Sequence, residues 1–248
     1  MRLPYPRWVY LQEFGRPSGL DEALGSLAAF SAQVEVCKIL SLSGLMHIDR
    51  LSWEDIYSII RIIARDSQHI SMLSIFGDPL RPVARGSIDL DYALGSIAEV
   101  KDPGVGAAVV VSTVLPAYIS TLDFVSKRSS VEKVREILSK VLRDEEEDLE
   151  ALSKILAGRF DGESVAQVLE ERAVVLFASA GSEDSMKISI ATAIRGGLVS
   201  ETEANTILGD LYREIDNKRI YAAQRILRDP GRAVDVIRKY GLSGIGLC

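Results

Sequence analysis

Residues 53–76, WEDIYSIIRIIARDSQHISMLSIF, decide the fold. Taken in alternate steps of three and four, they give Ile59, Ile62, Asp66, His69, Leu73 and Phe76, one face of a 3.6-residue helix. An acid and an imidazole therefore point where a core belongs. The same construction recurs in residues 131–156 as Leu138, Val141, Glu145, Asp148, Leu152 and Ile155, each 79 positions after its counterpart (59 to 138, 66 to 145, 69 to 148). Asp66-x-x-His69 becomes Glu145-x-x-Asp148. Burying an ionised side chain is costly unless it is paired or binds a metal. Two such interruptions in one register point to a common cause.

Outward from this stretch the chain reads as helices throughout. Residues 20–46 carry the stripe Leu24, Ala28, Ser31, Glu35, Ile39, Leu42, which adds Glu35 to the inward polar set. Ser43-Gly44 and His47-Ile48-Asp49 turn the chain, and His47 reads as an exposed turn residue. Ser52 with Asp55 makes a capping box for the second helix, and Gly77-Asp78-Pro79 closes it. The prolines and arginines of 80–87 mark a crossover. LDYALGSIAEV at 90–100 then repeats LDEALGSLAAF at 20–30, at an offset of 70, and opens a third helix that meets an interruption at Lys101-Asp102-Pro103-Gly104. Ser129 and Glu132 are expected to cap the fourth helix and Gly158 to end it. Residues 20–158 thus form two repeated helical hairpins joined by a crossover, the plan of a four-helix bundle. Residues 1–19 read as an arm rich in aromatics. Residues 159–248 read as a helical extension with helices at 163–181, 183–197, 201–228 and 231–240, the third opened by a Ser200/Glu203 box. The extension has no Cys motif, His or phosphate loop before its terminal Cys248, so it reads as packing or oligomer surface.

Composition narrows the function classes. The 248 residues are 47% hydrophobic and 26% charged, ordinary for a globular chain, and the net charge of −6 speaks against a nucleic-acid binder, which needs a basic surface. Cys37 and Cys248 form no metal or disulfide motif, and the proline-bearing N-terminus has no signal-peptide pattern; a cytoplasmic protein is expected. Residues 104–122 carry no charge and approach the length of a membrane span. Their Ser, Thr and Pro content, and the need of the flanking helices for a packing partner, identify them instead as a core helix, so no membrane association is expected.

The segment IARDSQHISML (63–73) resembles the second helix of rubrerythrin-type bundles of the ferritin-like superfamily, and RDEEEDLEAL (143–152) resembles the fourth. The diiron branch takes one carboxylate from each of two helices and a Glu-x-x-His pair from each of the other two. The resemblance implies an all-α, ferritin-like four-helix bundle with metal ligands Glu35, Asp66, His69, Glu145 and Asp148. It also implies iron or manganese, and chemistry on oxygen, peroxide or a small organic substrate. With no CxxC domain in the chain, the electron donor would be a separate protein. The chain departs from the pattern at three places. Asp148 stands where a histidine is usual, residues 111–114 (Val, Ser, Thr, Val) offer no third-helix acid, and Lys38 lies three residues after Glu35 where it can reach the same interior.

Three readings follow. One is an oxidoreductase with a metal at the five residues, a mononuclear site fitting the ligand count better than a dinuclear one. Another is a metal-free, catalytically silent bundle closed by Lys38, acting as a scaffold or as partner subunit of a multicomponent oxygenase. The last is a helical ligand-binding enzyme of the thiaminase-II or haem-oxygenase sort, working through His69 or Cys37. A homo-oligomer is expected.

Overall fold

The structure is a computed structural model and describes residues 16–46, 51–77, 100–178 and 184–241. The 80–87 crossover, the LDYALGSIAEV opening of the third helix, His47 and most of the N-terminal arm lie outside these residues. The described chain is all-α: α1 Leu20–Leu45, α2 Trp53–Leu73 with a 3-10 turn Ser74–Phe76, α3 Pro103–Arg128, α4 Glu132–Leu156, α5 Gly162–Ala178, α6 Asp184–Arg195, α7 Glu201–Leu208, α8 Leu211–Ile226 and α9 Gly231–Tyr240. Two-residue strands Phe160–Asp161 and Leu227–Arg228 pair in parallel and clasp the start of α5 to the end of α8.

The first four helices close a ring, α1 packing on α2 and α3 while α4 packs on the same two. Two of them, α2 and α3, start at a side-chain cap. Ser52 Oγ accepts the Asp55 N–H and the Asp55 carboxylate accepts the Ser52 N–H, a complete capping box. Asp102 caps α3 through the N–H groups of Gly104 and Val105, with Pro103 in the first turn, where its missing N–H costs nothing. The Lys101–Gly104 interruption is thus a helix start. At the far end of α2, Gly77 takes φ +154°, and a Cβ there would lie 3.1 Å from the Gly25 Cα; two glycines let the end of the hairpin close on α1.

α3 is not a uniform helix. Pro116 has no N–H for the carbonyl four residues back, and its ring crowds that carbonyl. The turn before it widens into a π-helix, Val110–Val114, in which the Leu115 N–H reaches the Val110 carbonyl. On α8, Arg219 is fully buried and its Nε donates to the Thr113 carbonyl at 3.0 Å, satisfying backbone inside the widened turn.

Two further features differ from expectation, one in the extension and one at the start of α4. Gly209-Asp210 breaks the helix expected over 201–228 into α7 and α8, because glycine is a poor helix former and Asp210 instead pairs locally with Arg213 at 2.5 Å. Ser129 and Glu132 make no cap for α4: Ser129 Oγ donates to the Ala193 carbonyl of α6, and the Ser130 N–H to that of Ile194. The α4 start is tied to α6 instead. One apolar cluster runs from α1 to α9, with α6 against α1 and α8 against α3. α1 and α3 are each long and apolar enough to cross a membrane, but 94% of the apolar window in α3 is buried inside the fold. That burial is what a central helix requires.

Candidate metal centre

The inward stripes meet as their spacing dictates. Ile59, Ile62, Asp66, His69 and Leu73 are the buried residues of α2, and Leu138, Val141, Glu145, Asp148, Leu152 and Ile155 are buried on α4. Glu35 and Lys38, one turn apart on α1, enter from the side. Glu35, Asp66, His69 and Glu145 each offer a ligand atom, all within 4.8 Å of one another. A six-coordinate ion with bonds of about 2.1 Å spans about 4.2 Å between opposite ligands. The donors are at most a few tenths of an ångström wider than that span, and the Lys38 ammonium, 2.5 Å from Glu145 and 2.8 Å from Asp66, would compete with an ion for those two carboxylates. Asp148 is drawn aside: Arg65 holds its Oδ1, and Lys38 Nζ lies 3.4 Å from its Oδ2.

Lys38 sits among the acids. Its Nζ is 2.6 and 2.5 Å from the two Glu145 oxygens, 2.8 Å from Asp66 Oδ1 and 3.5 Å from Glu35 Oε2. Burial opposes its charge, yet the ring of carboxylates outweighs burial and holds the ammonium well above its ordinary range. The reciprocal effect appears on Glu145: burial favours its acid form, but Lys38 and His69 prevail and hold the carboxyl below its usual value.

His69 spans the cluster. Its Nδ1 lies 3.1 Å from both Glu35 Oε1 and Glu145 Oε1, and its Nε2 is 3.1 Å from the half-buried Asp144. Burial disfavours the imidazolium, and the Glu145 and Glu35 carboxylates reverse that, raising its pKa to about 10. Asp66 is pushed up to about 8, chiefly by burial, against the pull of Lys38. Burial and the Glu145 charge likewise raise Glu35, and burial raises Asp148 against Lys38. Among the described residues, Glu35 Oε2 and both Asp66 oxygens have no hydrogen-bond partner; Asp66 Oδ1 meets Lys38 as an ion pair only. Buried oxygens in that condition are uncommon.

Three contributors fall outside the inward stripes. Asp144 reads as part of a solvated acidic run, and Arg65 as an ordinary surface cation, yet they lie 3.8 Å apart over the mouth of the cluster. Their positions, 65 and 144, are equivalent under the same offset of 79 and carry opposite charges, which is the signal that marks them. Tyr118 on α3 donates its hydroxyl to Glu35 Oε1 at 3.1 Å. Its signal is chemical: a phenol in the uncharged run 104–122 needs a buried acceptor. The third-helix acid is absent, and the π-turn of Val110–Val114 occupies its place with the side chains of Ser112 and Thr113 bonded back to the Val109 carbonyl. Cys37 is buried, and burial pushes its thiol up to about 12, which leaves no thiolate for nucleophilic work.

No protein-family model, curated protein or solved structure matches this chain.

Proposed function

We propose that this protein is a ferritin-like four-helix bundle that binds one iron or manganese ion through Glu35, Asp66, His69 and Glu145. Lys38 supplies the positive charge that a second ion would bring. The observation that carries this reading is the buried Asp66 Oδ2, with no hydrogen bond or ion pair among the described residues, together with Glu35 Oε2, which meets only Lys38 at 3.5 Å, both beside His69 Nδ1 and Glu145. A donor set of three carboxylates and one imidazole suits iron or manganese. The Asp144 carboxylate on His69 Nε2 is the outer partner that fixes which ring nitrogen faces the ion.

Bound there, such an ion supplies Lewis acidity and redox chemistry toward oxygen or peroxide. The chain does the rest. Lys38 and Arg65 neutralise Glu145 and Asp148, Tyr118 orients Glu35, and the apolar α3 excludes water from one side. This supports an oxidoreductase that receives electrons from a separate donor protein. Elemental analysis of protein purified without chelators tests it. One iron or manganese per chain is expected, lost in His69→Ala and in Asp66→Asn; wild-type protein without stoichiometric metal overturns the reading.

A second reading has its own observation. Lys38 Nζ reaches all four buried acids, and both His69 nitrogens face carboxylates, as in an imidazolium. With Asp66 protonated, the buried carboxylates of Glu35, Glu145 and Asp148 equal Lys38, Arg65 and His69 in number without a metal, and the further acids that meet Arg65 and His69, Asp144 and Glu147, are partly open to solvent. The protein is then a catalytically silent bundle, a scaffold or partner subunit. In that case wild-type protein purifies without metal.

A further inference from the structure

α2 has a second apolar face, turned away from the site. Trp53, Tyr57 and Ile60 are 83%, 64% and 49% exposed, and Ala64 continues their line. Steps of four, three and four place them in one stripe along the helix. Ile56 and Ile63 flank the stripe on one side, half-buried. Glu54 and Arg61 flank it on the other, both exposed, and among the described residues neither has an ion-pair partner. A tryptophan at 83% exposure beside a tyrosine and an isoleucine is more apolar surface than an isolated helix face retains without use.

We propose that this face is an isologous interface with a second copy of the chain, α2 lying antiparallel on α2 of its partner. The charge pattern selects that occupant. When a helix pairs antiparallel with its own copy about a twofold axis, each flank faces the same flank of the other helix. Glu54 of one copy then meets Arg61 of the other, and the symmetry repeats the pair. The axis falls between Tyr57 and Ser58, which brings the two Tyr57 rings together at the centre and sets each Trp53 against the Ile60–Ala64 end of the other stripe. A parallel arrangement would set the Glu54 and Arg61 flank of each copy against the Ile56 and Ile63 flank of the other, leaving both charges without a partner. Two half-buried isoleucines on the opposite flank complete an apolar seam with a charged edge on one side, the layout that sets orientation in paired helices. The inference is independent of what the buried cluster binds, since none of these side chains belongs to it.

Sedimentation equilibrium of the full chain with charge-reversed variants is the test. The wild type is expected to be a dimer at low micromolar concentration. Glu54→Arg and Arg61→Glu singly each weaken dimerisation about tenfold, because every substitution enters the interface twice and replaces attraction by repulsion. The double variant Glu54→Arg/Arg61→Glu restores the pairing and returns the affinity to within about threefold of wild type. Trp53→Ser weakens it about a hundredfold, with unchanged helical circular dichroism, since the residue is exposed in the single chain. A wild type that stays monomeric to about 100 µM, a dimer indifferent to both single reversals, or a double variant weaker than either single overturns the proposal.

Discussion

Lys38 is the residue on which the buried cluster turns. It reaches four carboxylates with less than 2% of its side chain exposed, so removing its charge leaves like charges facing one another in a dry interior. Lys38→Met is expected to lower the stability of the metal-free protein by about 3–5 kcal/mol, measured by urea unfolding. Saturating manganese should return much of that loss, because an ion bound to the same acids stabilises the folded state alone. Asp66 and His69 give a second expectation. With pKa values of about 8 and about 10 in the protein without metal, both groups carry protons at neutral pH. Metal and proton compete for the same atoms, so uptake of manganese releases protons, and its affinity rises as pH goes from 6 to 9. Calorimetry in buffers of differing ionisation enthalpy reads both; uptake without proton release would contradict the placement of the ion at Asp66 and His69. At this scale the sequence was informative where periodicity applies. Glu35, Asp66, His69 and Glu145 are legible because a 3.6-residue period puts them on inward faces. Asp144 and Arg65 are not, since they stand one position off the stripe and meet only across the seam between two helices.

The element least legible was α3. Its run 104–122 carries no charge, and Ser112 and Thr113 inside the π-turn bond back to the Val109 carbonyl as such residues do in any helix, so the change of period leaves no trace in the sequence pattern. Pro116 was the visible cause, but a proline alone does not say whether a helix kinks, ends or widens. The structure resolves the choice through a distant partner, Arg219, whose Nε lies on the Thr113 carbonyl while its guanidinium also meets Asp216. Burial lowers the Arg219 pKa to about 10, still far above neutrality, so the group stays charged. Arg219→Ala is expected to cost about 2–4 kcal/mol, because a backbone carbonyl and a carboxylate each lose a buried donor. Arg219→Lys should recover only part of it, since an ammonium lacks the guanidinium fork that serves both acceptors. Chemical unfolding of the two variants compares them directly. Caps followed the same logic of context. The Ser52 and Ser200 boxes formed because those helix starts face solvent, whereas Ser129 was claimed by the Ala193 carbonyl of α6.

Across the whole molecule, the repeat read from the offset of 79 relates two helices that pack on each other, α2 and α4, and their contacts cross: Arg65 meets Asp148, the counterpart of His69, and His69 meets Asp144, the counterpart of Arg65. The extension reads as packing or oligomer surface because it bears no histidine, cysteine motif or phosphate loop, and it does pack: α8 lies on α3 and delivers Arg219 into it, and α6 covers α1, within the apolar core. A chain cut after Gly158 would bare those faces of α1 and α3 and is expected to aggregate or to lose cooperative unfolding, which gel filtration and a thermal melt would show. A soluble, cooperatively melting fragment would mean that the extension is dispensable to the helices around the site.

The partial exposure of Asp144 and Arg65 has one more consequence. Every acid that touches Lys38 is sealed from solvent, whereas these two sit at its rim, a quarter open, with Asp144 linked straight to the imidazole of His69. The interior is therefore two-sided. Along the α2–α4 seam the sunken charges have a partly open side at Arg65 and Asp144, while toward α3 they are closed in by buried, mostly apolar side chains.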